Sequence, residues 1–212
     1  MSVAPAVHAH DIITTNLTWT REISRIIYKH CAGCHQAGGR AMSLATYEDA
    51  RPWAKAIRDE VLARRMPPWD AVKGVGDFRD DLSLSQPEMD LLVGWIEGGA
   101  PEGNPIYLPP ASRFDPPART PTGKGIDARQ SFTLTAPLTL TGIRPGGPIE
   151  VTASLPDETV ERLIWLRTFR PEWQRSYYFR APIRLPKGTK ILLHSATGAA
   201  ARLITSAPPP AP

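Results

Sequence analysis

Apolar residues change period about halfway along the chain. In the first half they recur at helical spacing. Ile23, Ile26 and Ile27 fall on one face behind Thr20, which is expected to cap a helix running straight into Cys31. Gly38-Gly39 then breaks the chain. Thr46-Tyr47-Glu48-Asp49 reads as a capping box, with Ala50, Trp53, Ile57 and Val61 following at helical spacing as far as Arg65. Met66-Pro67-Pro68-Trp69 must leave the helix, because two prolines remove two donors and push the preceding residue to extended geometry. A loop with Gly74, Gly76 and Phe78 is expected next. Ser85-Gln86-Pro87-Glu88 reads as a second capping box. Met89, Leu92, Val93 and Ile96 form its apolar stripe, with Trp95 flanking it and Gly98-Gly99 ending the helix.

In the second half the period shortens to two. Ser131–Thr141, Ile149–Leu155, Val160–Phe169, Ser176–Arg180 and Lys190–Ser195 read as strands. Turn signals separate them at Pro145-Gly146-Gly147, Pro156-Asp157 and Pro186-Lys187-Gly188. Short strands at this spacing predict an antiparallel sandwich. The expected fold class is therefore an all-α domain followed by an all-β antiparallel sandwich. The expected boundaries are an extended segment at 1–18, a helical domain at 19–104, a Pro-rich linker at 105–125, a sandwich at 126–206 and a Pro-rich tail at 207–212.

Composition narrows the picture. The chain has 212 residues, 42% of them apolar, enough for a core, and 23 prolines that crowd the expected linker and tail. No run approaches the roughly 18 apolar residues of a membrane helix. Residues 1–108 hold 11 Lys/Arg and 14 Asp/Glu, whereas residues 109–212 hold 14 and 7. The basic second half suits solvated sheet faces or an acidic partner, and no nucleic-acid-binding module is present.

The chemistry concentrates in Cys31-Ala32-Gly33-Cys34-His35. In the pattern C-x-x-C-H, two thiols add to the vinyl groups on one porphyrin edge, and the adjacent histidine supplies an imidazole nitrogen to the iron. The only two cysteines are in this pentapeptide, so no disulfide scaffold is available. Zinc normally needs four ligands, and only His8, His10, His30 and His194 remain elsewhere. A dithiol redox pair expects its cysteines to open a helix after a strand, whereas here a helix precedes them. The expected cofactor is one covalent haem c, with His35 the proximal metal ligand. Met66, in its Met-Pro-Pro loop, is the expected distal ligand, as a soft thioether that favours reduced iron. Met42 is its competitor, Met89 reads as core, and His30 reads as exposed or facing a haem propionate. Trp53 and Trp69 are expected to wall the haem pocket. Arg40, Arg51, Trp53, Lys55 and Trp69 are propionate donors by residue type.

From about Trp19 to Gly103 the chain resembles a class I-like monohaem cytochrome c domain. The resemblance is carried by the helix into Cys31-Ala32-Gly33-Cys34-His35, the Met66-Pro67-Pro68 loop and the closing helix Ser85 to Glu97. It implies that the first and last helices cross, with Ile26 or Ile27 against Trp95. The stretch MSLATYEDARPWAKAIRDEVLARRMPPW looks like a bacterial subgroup in which such domains are fused to other modules. PDETVERLIWLRTFRPEWQRSYYFRAPIRLPKGTKILLHSA resembles part of the sandwich domains of copper-type, ascorbate-dependent monooxygenases. Copper in that family is held by histidines and a methionine. This half has only His194 and no methionine, so the fold carries over but the copper chemistry does not.

These readings make the chain an electron carrier that turns over no substrate and exchanges electrons with redox partner proteins. Two alternatives stay open: a haem enzyme or gas sensor with an open distal site, and a self-associating, filament-forming cytochrome. Because such haem is attached after export, a periplasmic or extracellular bacterial location is expected, with a leader preceding this sequence.

Overall fold

A computed structural model describes residues 15–39, 41–110 and 124–206. The expected tail, most of the expected linker and N-terminal segment, and Arg40 lie outside the described residues. The chain divides into two compact units, 1–67 with 84–116 and 68–83 with 117–212.

The first unit is helical. A π-helical turn at Trp19–Ile23 leads directly into α1 (Ser24–His30). Thr20 does not cap it. Thr18 holds the cap position, its N–H donating to the Glu22 carboxylate at 3.0 Å, while Thr20 is buried with no hydrogen-bond partner for its hydroxyl among the described residues. Thr46 caps as expected, accepting from the Asp49 N–H at 3.2 Å. The helix behind it is split into α2 (Tyr47–Ala50), a 3-10 turn at Arg51–Trp53 and α3 (Ala54–Leu62), and Pro52 sits at the break. Ser85 and Glu88 close a reciprocal capping box on α4 (Gln86–Glu97). Gly99, at φ +90°, continues past the helix end in a conformation that favours glycine. Trp95 does not flank the stripe. It is fully buried, its ring centroid 6.0 Å from that of Trp19, and its indole N–H donates to the Pro101 carbonyl at 2.9 Å. The α4 helix packs chiefly on the π turn and on α3.

The second unit is a β-sandwich. Its strands are β1 (Gly125–Ala128), β2 (Phe132–Thr133), β3 (Leu138–Pro145), β4 (Ile149–Ser154), β5 (Val160–Leu166), β6 (Tyr177–Leu185), β7 (Lys190–His194) and β8 (Ala201–Thr205). They form two antiparallel sheets, ordered β1-β8-β3-β6 and β2-β7-β4-β5. Inward residues of both sheets, among them Leu140, Ile143, Val151, Ile164, Ile191 and Leu203, share one core. Pro182 is tolerated within β6 because β6 is an edge strand. Two strands, β1 and β8, were not expected from the sequence.

The expected fold class needs correction. Residues 19–104 are not a self-contained all-α domain, and the chain is mixed, with more residues in strands than in α-helices. Segment 68–83 belongs to the sandwich. Ala71 bridges Leu166 on β5, with the Val72 N–H donating to the Trp165 carbonyl at 2.8 Å. Phe78 bridges Phe179 on β6, where the Arg79 N–H donates to the Tyr178 carbonyl at 3.0 Å and the Arg180 N–H to the Asp77 carbonyl at 2.8 Å. One short segment thus pairs with one edge strand of each sheet, β5 and β6, which would otherwise present unpaired backbone groups. Gly76 comes so close to the Leu163 carbonyl that a Cβ there has no room.

This segment also redistributes charge. Asp70, Asp77 and Asp81 pair with Arg170, Arg180 and Lys73 inside the same unit. Counted by unit rather than by half, the helical unit carries −1 and the sandwich unit +5. The charge contrast between the units is smaller than that between the two halves of the sequence.

Candidate functional site

The pentapeptide is a tight turn at the end of α1. Its first amide, on Cys31, still donates to the Ile27 carbonyl at 2.8 Å. The amides of Cys34 and His35 then both donate to the Cys31 carbonyl, each at 3.0 Å. Three chemically competent side chains therefore project from one compact loop. The return of the chain needs glycine, because a Cβ on Gly39 would lie 2.6 Å from the Cys34 carbonyl oxygen. Both cysteines are free thiols. Burial pushes the Cys31 thiol up to about 12, and the neighbouring Cys34 adds to the rise. Such a thiol stays protonated at neutral pH, unlike the electropositive, low-pKa cysteines of dithiol redox sites.

His35 is oriented by its backbone surroundings. The Leu44 N–H donates to the His35 carbonyl at 2.9 Å, and imidazole Nδ1 lies 3.0 Å from the Met42 carbonyl oxygen. A carbonyl only accepts, so Nδ1 carries the proton and Nε2 keeps its lone pair for a metal. Met42, the competitor for the distal position, thus contributes its carbonyl on the His35 side. Among the described residues, no three His, Cys, Asp or Glu side chains converge where they could hold a metal ion, so a four-ligand zinc site is not assembled there. His194 is exposed at the end of β7. The donor set of two free thiols and one oriented imidazole fits a covalent haem.

The other expected site residues are dispersed. Met66 is half-buried just beyond α3, its N–H donating to the Glu60 carbonyl at 3.3 Å. Arg51 and Trp53 lie on the exposed 3-10 turn before α3, and Trp53 is 43% exposed. Arg51 makes no ion pair among the described residues, so its guanidinium is available to a propionate. Lys55 is instead paired with Asp59 at 2.9 Å. Trp69 belongs to the sandwich unit, where its ring meets Tyr177 at 4.9 Å and Phe78 at 6.0 Å. It is half-buried there, packed against the sandwich core.

His30, expected to be exposed or to face a haem propionate, is buried. Its Nε2–H donates to the Glu88 carboxylate at 3.0 Å, tying the residue before Cys31 to the N-terminus of α4. Local sequence carries no sign of this, because its partner is 58 positions away. Burial opposes the ionisation of Glu88. Hydrogen bonds from the Ser85 amide and hydroxyl, His30 and Lys29 outweigh it and hold the carboxyl far below its ordinary 4.5. A carboxyl depressed on folding stabilises the fold above its ordinary value and ceases to as the pH falls through its folded value. Glu88→Ala is expected to cost about 2–4 kcal/mol at neutral pH, from a lost cap and the loss of the carboxylate that accepts from the buried His30 imidazole. Below about pH 5 its unfolding free energy should fall less steeply than that of the wild type. Denaturant unfolding across pH checks both expectations, and parallel curves would count against this role.

No helix among the described residues is long and apolar enough to cross a membrane. Comparison with models of known protein families, with curated proteins and with solved structures finds no match to this chain.

Proposed function

We propose that this chain is a monohaem c-type cytochrome that carries single electrons outside the bacterial cytoplasm and exchanges them with redox partner proteins. The observation that carries the reading is the pentapeptide turn: two free thiols three positions apart, followed by an imidazole whose Nδ1–H is held by the Met42 carbonyl. The haem, when bound, supplies one-electron chemistry at its iron. The chain's own residues do the rest. Cys31 and Cys34 would hold the porphyrin through thioether bonds, and His35, with its Nε2 lone pair free, would hold the iron. The Met42 carbonyl fixes that tautomer and raises the basicity of the ring. Met66 would supply a soft thioether as the second iron ligand, which favours the reduced state. Arg51 offers charge to a propionate, and Trp53 offers an apolar face that keeps water away. Held by His35 and Met66, the iron would take up and release single electrons without binding a substrate.

The test is Met66→Ala in the haem-loaded protein. The wild type should show the weak far-red charge-transfer band of a thioether bound to ferric haem, and its ferrous form should bind carbon monoxide slowly. The variant should lose the band and bind carbon monoxide rapidly. Its potential should fall by on the order of 0.1–0.3 V, within the roughly 0.8 V range that axial ligands span. A wild type that already binds carbon monoxide rapidly would instead support an open distal site.

A further inference from the structure

The turn Cys31-Ala32-Gly33-Cys34-His35 lies wholly within the helical unit, and its two thiols have different surroundings there. The first two residues still belong to α1. The amides of Cys31 and Ala32 both donate to the Ile27 carbonyl, at 2.8 and 2.9 Å, and Ala32 is fully buried. The Cys31 side chain packs on the hydrophobic core of this unit, as do Tyr28 and Tyr47. That core is built from fully buried residues, among them Trp19, Ile23, Ile27 and Trp95. The last three residues of the pentapeptide have left the helix. The Cys34 amide donates to the Cys31 carbonyl at 3.0 Å, and the Cys34 side chain is not among those that pack on the core.

A free cysteine packs as a small hydrophobe. A sulfur held in a core meets a reagent only when the structure opens locally. The two additions that a haem-attachment turn must support differ in kind. The first joins separate molecules, so it needs a sulfur that the ring edge can reach directly. The second is intramolecular, and the high effective concentration of a tethered partner makes a seldom-released sulfur sufficient.

We propose that the two thioethers form in a fixed order, Cys34 first and Cys31 second, because the helical core holds Cys31 until the porphyrin is tethered beside it. This rests on the reading of the turn as a haem-attachment site. In each step an S–H adds across one vinyl double bond. The sulfur bonds to the vinyl carbon next to the ring, the proton passes to the terminal carbon, and no oxidant or reductant is consumed. Cys34 is then the residue that captures the cofactor, and Cys31 the one that locks it.

The experiment has two arms, both on the full chain. In the first, the chain purified without haem receives a brief pulse of iodoacetamide, and fragmentation of the peptide 30–40 shows which sulfur is modified. Cys34 should react about 10-fold faster than Cys31 in the folded chain, and the two should react at similar rates in concentrated urea. In the second, attachment is interrupted early during expression with export and a haem-attachment system, and the remaining free thiols are alkylated. Chains with haem on Cys34 and the label on Cys31 should outnumber the reverse about 10-fold. Cys34→Ala should accumulate attached haem several-fold more slowly than Cys31→Ala. Equal labelling of the two sulfurs before urea, or early haem chiefly on Cys31, would overturn the order and leave covalent attachment standing. Haem on neither sulfur would remove the attachment reading, and the order with it.

Discussion

Replacing Cys31 and Cys34 together by alanine should abolish covalent haem. Expressed with export and a haem-attachment system, the wild type should retain its colour after denaturation, and its denatured mass should exceed that of the bare polypeptide by one haem. The double variant should show neither. The reason is chemical: each thiol adds across a vinyl group, its sulfur bonding to carbon and its proton passing to the neighbouring carbon. No other thiol exists in the chain to substitute. The geometry adds to it, since the Cys31 carbonyl holds the amides of Cys34 and His35 in one turn. Each single variant should keep one thioether and hence still yield a coloured denatured chain. The sandwich should fold in all of them, because its core contains neither cysteine. A colourless, bare-mass wild type under these conditions would end the cytochrome reading.

Phe78→Ala should be among the most damaging substitutions in the sandwich unit, at about 3–5 kcal/mol. Phe78 is buried and stacked on Phe179 at 5.3 Å, and it also meets Tyr177 at 5.5 Å and Trp69 at 6.0 Å. Removing the ring leaves a cavity among three aromatics and frees the segment that covers the edges of β5 and β6. In a chain of two compact units, denaturation need not be one transition. The loss should therefore be read from signals of the sandwich, such as protection of its strand amides from hydrogen exchange. A shift confined to the helical unit, or a cost under about 1 kcal/mol, would show that Phe78 does not serve the sandwich core. The first of these outcomes is what the sequence reading implied, since it placed Phe78 in a loop of the helical domain.

Much of the local structure was legible because its causes are local. Thr46 and Ser85 cap helices through groups within three residues of themselves. Four of the eight strands lie inside segments marked by alternation and bounded by turns, and two more, β3 and β6, begin inside such segments and run past them. The Cys31-Ala32-Gly33-Cys34-His35 pattern likewise lies in five consecutive residues. Elsewhere local signals misled. Thr20 has the chemistry of a cap, yet Thr18 takes the position because the chain enters through a π turn that buries Thr20.

By itself the sequence determined where thiols and imidazole stand together, where the helices capped by Thr46 and Ser85 begin, and that the second half prefers strands. Tertiary structure decided which unit owns residues 68–83, that Trp69 packs on Tyr177, and that His30 is buried against Glu88. The physical reason is range. Capping and periodicity depend on neighbours a few positions away, whereas edge pairing and buried polar contacts depend on partners such as Arg170 for Asp70, 100 positions along the chain.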